Sequence, residues 1–303
     1  MKLLVSTVSK LLVWMPDGIE TIHEGQGSYS GATWSEDRIF VVTQNRQSRS
    51  EYADNQLLIF DGAFRLLDVY DFPNEGPTAV SSVHDVFYWQ GKVYVVSTAN
   101  SRAVAWEPSG KLETVYTAPP RVPDKWSVNT NAHLNSVWND GQNFYVVEHR
   151  HGPSQIKQFD PDWQWKKTWF MGHESHNVYR EGPVLYCCAS WHHAVAMRDL
   201  QGGGERWVKV MDGLNWIPGH DDKKLTYTAY PRGLARTKDK WFVGLSATAR
   251  RGDRDKGDSC ILVFDNDWHK LDEIVLPDTG GIGTGGVRVM DETDYAHNRI
   301  PCP

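Results

Sequence analysis

His84, His133 and His176 recur at long intervals, each just ahead of an apolar run: HDVFYW, HLNSVW and HNVY. Imidazole is the commonest protein ligand for transition metals. Three such side chains brought together would hold a divalent ion of the Zn, Fe, Mn or Cu class and leave a position open for substrate, with His173 as a further ligand. Proton transfer in such a site falls to His176, Glu148, His149 and Tyr230, the titratable groups that share the same stretches. A second set is cationic. Arg46, Arg102, Arg250 and Arg251 lie in polar loops and Arg232 lies at a strand start; a guanidinium fork suits carboxylate, phosphate or sulfate. Asn135 and Asn177 add polar contacts, and Trp191 offers a face for a sugar ring. The competing roles are plain: histidines near a channel axis hold loops and waters, and loop arginines pair with Glu51, Asp253 or Asp255.

Residues this far apart in sequence converge only if the chain repeats itself around a centre. A small or apolar residue and, eight positions on, an aromatic or aliphatic one form the pairs Ala32 and Phe40, Val86 and Tyr94, Val137 and Tyr145, Val178 and Tyr186, Leu234 and Phe242, and Val287 and Tyr295. Polar turns such as WSEDRI, WNDGQNF and ARTKDKW separate them, with the Gly, Asp and Asn chemistry of hairpins. Second strands read RIFVVTQ, VYVVSTA, FYVVEHR, LYCCASW and WFVGLSA; third strands such as LLIFDGAF and ILVFDNDW run into an Asp turn. The sixth unit is split. After Val287 no further strands follow, while LLVSTVSKLLVWMPDGIETIHE at the start of the chain matches the last three strands of the second full unit. Closure of this kind removes the open sheet edges. The expected fold is all-β, a six-bladed β-propeller in which residues 1–303 form one domain and the last blade is closed by N-terminal strands plus one C-terminal strand. Two inserts, 118–130 and 212–228, would lie over the channel mouth, where function-bearing loops gather.

Composition agrees. The chain carries 14 Trp, 12 Tyr, 10 Phe and 26 Gly, as strand-rich chains with many turns do. A net charge of -6 argues against a general nucleic-acid surface. Ser6, Thr7, Ser9 and Lys10 interrupt the first apolar run, which makes a poor secretory signal, and no stretch approaches the roughly 20 apolar residues of a membrane helix. Of the four cysteines, Cys187 and Cys188 are adjacent in a strand and so point to opposite faces; with Cys260 and Cys302 they form no disulfide framework, which points to the cytoplasm.

The segment YPRGLARTKDKWFVGLSATARRGD (Tyr230 to Asp253), with the HDV and HNV strand starts, resembles an uncharacterised bacterial family of propeller proteins found alone or attached to tetratricopeptide repeats. That resemblance implies the propeller and no activity. More distantly the architecture is similar to gluconolactonases and related six-bladed esterases, which hold a divalent ion near the channel with Glu, Asn and Asp. Here the corresponding positions carry Ser30, Asn135 and Gly285, with His84, His176 and Arg232 alongside, a departure from that ligand set. The expected function is a metal-dependent enzyme, of hydrolase, lyase or isomerase type, acting on a small anionic or carbohydrate-like molecule at the channel mouth. The alternative is a non-catalytic propeller that binds an anionic glycan or peptide there. Neither nucleic acid nor membrane is an expected partner.

Overall fold

The computed structural model describes residues 1–25, 27–44, 54–120, 132–149, 153–210, 230–246 and 257–303. Their secondary structure is almost entirely β. The chain opens with β1 (Leu3–Thr7), β2 (Lys10–Met15) and β3 (Gly18–Glu24). Four-stranded meanders follow: β4 (Ser28–Trp34), β5 (Ile39–Gln44), β6 (Asn55–Phe60) and β7 (Leu66–Asp71); then β8 (Val83–Trp89), β9 (Lys92–Ser97), β10 (Arg102–Trp106) and β11 (Leu112–Thr117). Next come β12 (Leu134–Asn139), β13 (Phe144–Glu148), β14 (Pro153–Phe159) and β15 (Trp165–His173), and β16 (Ser175–Glu181), β17 (Val184–Ala189), β18 (Ala194–Asp199) and β19 (Glu205–Lys209). The last are β20 (Pro231–Arg236), β21 (Lys240–Leu245), β22 (Ser259–Asp265) and β23 (Lys270–Leu276), followed by the single strand β24 (Ile282–Val289).

Four of the sheets are separate and four-stranded. The fifth runs β3-β2-β1-β24-β4-β5-β6-β7, its two halves joined by one parallel bridge, Gly285 to Gly31. Strand β24 therefore completes the sheet begun by the first three strands, pairing Leu3 with Val289 and Val5 with Val287. First strands pack in cyclic order, β4 on β8, β8 on β12, β12 on β16, β16 on β20, β20 on β24 and β24 on β4, which closes the ring of a β-propeller. The glycines at the seam are sterically required: a Cβ at Gly285 would collide with the Asp85 carboxylate, and one at Gly31 would stand 3.3 Å from the Gly285 Cα.

Burial follows strand position. The central β5, β9 and β13 are buried along almost their whole length, whereas the outer β7, β11 and β23 are largely half-exposed or exposed. Between third and fourth strands the same turn recurs. Asp61, Asp160 and Asp265 each accept backbone N–H bonds from residues two and four ahead, and Phe64, Trp163 and Trp268 take a left-handed φ there. The turn lays its aromatic residue on its own sheet, Trp163 stacked on Phe144 and Trp268 on Trp241, and brings it against the preceding sheet, where Trp163 meets Tyr94 and Trp268 meets Tyr186.

A polar belt ties the first strands together. Asp85 accepts from the Val137 amide, Ser136 Oγ from the Asn177 amide, and Asn177 Oδ1 from the Gly233 amide, so one side chain per unit reaches the backbone of the next. The sequence pairing of Val287 with Tyr295 does not describe a strand. Residues 291–303 instead form a tail across one end of the ring: Trp138 Nε1 donates to the His297 carbonyl, Trp34 Nε1 to the Ile300 carbonyl, and the His297 ring sits edge-on to Trp34 and Phe87. Among the described residues no helix is long and apolar enough to cross a membrane.

Candidate functional site

Every first strand carries an irregularity at the same point. In β4, Tyr29 pairs with Thr43 and Gly31 with Val42, leaving Ser30 as the extra residue. His84 is extra in β8, between Val83 paired with Ser97 and Asp85 paired with Val96; Asn135 is extra in β12. In β16 and β20 the register slips just after His176 and across Arg232 and Gly233. A bulge of this kind bends the strand and re-aims the side chain it carries. The ring position that the sequence marks with Ser30, His84, Asn135, His176 and Arg232 is thus also a backbone device.

Four imidazoles meet there. Ring centroids are 5.3 Å apart for His84 and His133, 4.8 Å for His133 and His149, and 6.1 Å for His149 and His176. Two imidazoles sharing one ion at a metal–nitrogen distance of about 2.1 Å hold their centroids about 4.6 to 5.3 Å apart at right-angled to tetrahedral geometry. The first two spacings fall in that range and the third is wider. Among the described residues no three of these rings bring one nitrogen each within 4.8 Å of one another.

Two of the tautomers are fixed by their partners. His84 Nδ1 lies 3.0 Å from the Ser82 carbonyl, which only accepts, so Nδ1 carries the proton and Nε2 the lone pair. His176 Nδ1 lies 2.8 Å from Ser190 Oγ, whose own proton goes to the Pro231 carbonyl at 2.9 Å; again Nδ1 donates and Nε2 is the basic nitrogen. Burial holds the His176 pKa well below the usual imidazole range, and the charges of Arg232, His149, His84 and His133 push in the same direction. His149 places Nε2 3.7 Å from Glu174 Oε1, while its Nδ1 is buried with no hydrogen-bond partner among the described residues.

Backbone strain marks the same place. Ser82, His133 and Glu174 stand immediately before β8, β12 and β16, each with a left-handed φ of 56°, 52° and 49°; Gly27, the equivalent before β4, has 84°. Non-glycine residues in this region cost of order 1–3 kcal/mol and concentrate at functional sites. His133 occupies a position that glycine would fill without strain.

The remaining candidates divide. Glu148 is fully buried, but its Oε1 accepts from the Tyr116 hydroxyl at 2.5 Å and faces Lys157 Nζ at 2.7 Å, and Lys157 also donates to the Tyr116 oxygen at 2.8 Å. Alternation along β13 turns Glu148 into that ion pair and His149 to the other side. Asn135 is fully buried and donates to the Ser175 carbonyl. Asn177 carries the belt bond to Gly233. Arg102 is directed at the carbonyls of Gly76 and Pro77. His173 packs against His192, and His192 against Trp207, a second imidazole pair beside the row. Tyr230 stacks on His193, and Trp191 is 61% exposed on the 3₁₀ turn Ser190–His192. Arg46, Arg250 and Arg251 lie outside the described residues, as does most of both inserts. Sequence reasoning gave His149 an acid–base role and did not foresee its place in the middle of the row; the EHRH stretch was the available signal. Ser82 and Ser190, which fix the tautomers, carry no sequence signal of their own.

One further trio brings ligand atoms together, Asp265, Asp267 and His269. Its bonds are those of the repeated Asp turn, with His269 Nδ1 3.0 Å from Asp265 Oδ2.

No family model matches the chain, and no curated protein matches it in sequence. Solved structures do match in fold. A chain of the nidogen/laminin complex superposes with a TM-score of 0.64 at 8% identity, covering 95% of this chain and 97% of its own. A Bacteroides caccae protein gives 0.62 at 13%, with 95% and 97% covered. The periplasmic gluconolactonase PpgL of Pseudomonas aeruginosa gives 0.58 at 12%, with 93% and 97% covered. Luciferin-regenerating enzyme gives 0.55 at 12%, with 87% and 80% covered. At these identities the likeness is one of architecture, and it places this chain among β-propellers.

Proposed function

We propose that this protein is a six-bladed propeller enzyme that binds one divalent transition ion among His84, His133, His149 and His176 and acts on a small anionic or sugar-like substrate at that mouth. Two fixed tautomers carry this reading: His84 and His176 each donate through Nδ1 to an acceptor, which leaves Nε2 basic, the arrangement that metal-ligating histidines use. A low His176 pKa supports it, because ion binding requires the neutral ring and competes with protons. All-nitrogen donors favour Zn, Cu, Fe or Ni over Ca or Mg. When bound, the ion would polarise a carbonyl or lower the pKa of a water.

The chain's own groups supply the rest. Arg232 lies close enough to His176 to depress its pKa, and its fork suits a carboxylate or phosphate on the substrate. Trp191, exposed on the adjacent turn, offers a stacking face for a sugar ring. Luciferin-regenerating enzyme and gluconolactonase share the architecture, which supports an enzymatic role without selecting a reaction. The wide third spacing favours a second reading, in which Arg232 holds an anion directly and the imidazoles join it only once protonated at Nε2. Calorimetric titration of tag-free protein with Zn²⁺ separates the two. One site that weakens at least tenfold in His84→Ala supports the ion, whereas no Zn²⁺ uptake with retained binding of a sugar acid or phosphate supports the anion.

A further inference from the structure

Neighbouring sheets are joined by a repeated pair of rings. At one ladder position the fourth strands carry His23 in β3, Tyr70 in β7 and Tyr116 in β11, paired with Leu11, Leu57 and Ala103. Each ring crosses to the third strand of the next sheet and packs on an aromatic residue there: His23 on Phe60, Tyr70 on Trp106 and Tyr116 on Phe159, with centroids 5.7, 5.7 and 4.7 Å apart. Between the sheet of β16 to β19 and that of β20 to β23 half of the pair is missing. The receiving ring is there as Phe264, which pairs with Trp241 as Phe159 pairs with Phe144. The position that sends a ring elsewhere holds Val208, paired with Val195. Val208 faces the right way, because alternation puts it on the same side of its sheet as Tyr186, whose ring meets Trp241.

A cleft of about 540 Å³ opens at this junction. Its floor is one face of the last four-stranded sheet, formed by Leu245, Cys260, Leu262 and Phe264, with Trp268 at one end. At the Tyr116 contact the counterparts of Leu245 and Leu262 are Glu148 and Lys157, which serve the tyrosine hydroxyl. Two leucines offer no such partner, so the cleft suits a ring with no inward polar group. Ser246 and Ser259, also in the lining, are engaged by the Tyr230 amide and the Thr279 hydroxyl. The charged lining residues, Lys209, Asp258, Lys270 and Glu273, are exposed at the rim. We infer that this cleft is a second binding site, separate from the imidazole row and independent of any ion there, for a small planar aromatic molecule of one or two fused rings. The ligand takes the place of the side chain that Val208 lacks and packs on Phe264. A space of this size lies within the roughly 300–1,000 Å³ of small-molecule sites, and ring-on-ring packing adds to the gain from burial.

Calorimetric titration of the metal-free full chain with 2-naphthol tests this. The parent protein should bind one molecule, about 2- to 10-fold more tightly than the saturated analogue decahydro-2-naphthol. Val208→Phe restores the ring that the other junctions carry and should weaken binding at least tenfold. Val275→Trp, at an exposed position of the same lining, should obstruct the cleft from outside and decides the matter if the phenylalanine variant fails to fold. Parental affinity in both variants places the ligand elsewhere and overturns the inference, and equal affinity for the saturated analogue overturns the aromatic class. Parent protein that takes up no 2-naphthol also overturns it, and uptake that then appears in Trp216→Ala would assign the cleft to the chain's own insert. None of these outcomes touches the ion-binding reading, which Zn²⁺ titration decides by itself.

Discussion

At the scale of single residues, the site is defined as much by what its neighbours remove as by what they supply. Glu148 and His149 are adjacent, yet the first is neutralised by Lys157 and capped by Tyr116 while the second enters the imidazole row. Removing one partner of a buried pair leaves an uncompensated charge, so Lys157→Met should lower unfolding stability by about 3–5 kcal/mol, measured by denaturant titration. The chemistry of Glu148 could not be assigned from its type: a carboxylate beside a histidine reads as catalytic until Lys157, nine positions on, is seen to cross to it. His84 and His176 were legible because they fall on the repeat position, and His133 because it stands two residues before Asn135, which holds that position in its unit. His173 matched less well, and the structure gives it to His192 instead. His133 is the sharpest case. A glycine takes its backbone conformation freely, and Gly27 does so at the equivalent point. His133→Gly should therefore be no less stable than the parent in metal-free thermal melts, and should bind Zn²⁺ more weakly. A substantial loss of melting temperature would show that the ring is retained for packing.

At the scale of elements, the first strand of each unit is a strand with a deliberate fault. The period of the repeat located the fault to within a residue or two, at or just after the position two before each apolar anchor, although nothing in sequence says that a strand bulges there. Hydrophobic alternation was strong enough to place the strands, since a one-residue slip would turn every buried side chain outward. What the pattern missed lies where alternation stops. Residues 291–303 have no periodicity, and their hold on Trp138 and Trp34 depends on indole donors that any strand-packing Trp possesses. The seam between β24 and β4 makes its own demand. Gly285→Ala would drive a methyl into the Asp85 carboxylate, and overpacking of this kind typically costs about 1–3 kcal/mol. Chemical denaturation of the alanine variant measures it, and an unchanged midpoint would mean that the two strands part easily.

At the scale of the whole molecule, ring closure concentrates buried titratable groups on the axis, and their signs oppose. Burial holds His297, like His176, well below the ordinary imidazole range, with Arg288 adding to the effect. Burial raises Asp85 and Asp294 to about 6, against the pull of Arg288. A histidine depressed in the folded state binds fewer protons than in the unfolded chain, so its contribution is lost as pH falls below about 6.5, by at most about 1.4 kcal/mol per pH unit. A carboxyl raised in the folded state binds more protons, so stability is regained as pH falls from 6 toward 4. Metal-free protein should lose melting temperature between pH 7.5 and 6, with the slope flattening below 6, and His297→Phe should reduce the upper slope. A profile flat from pH 7.5 to 6 would contradict the burial of these imidazoles.

The proposed ion-binding site is tested most directly by diffraction from crystals grown with Zn²⁺, using anomalous differences above and below the zinc edge. An anomalous peak enclosed by His84, His133, His149 and His176 is the predicted result. Zinc found only at surface positions such as the Asp265–His269 turn, with that cup bare, would contradict it.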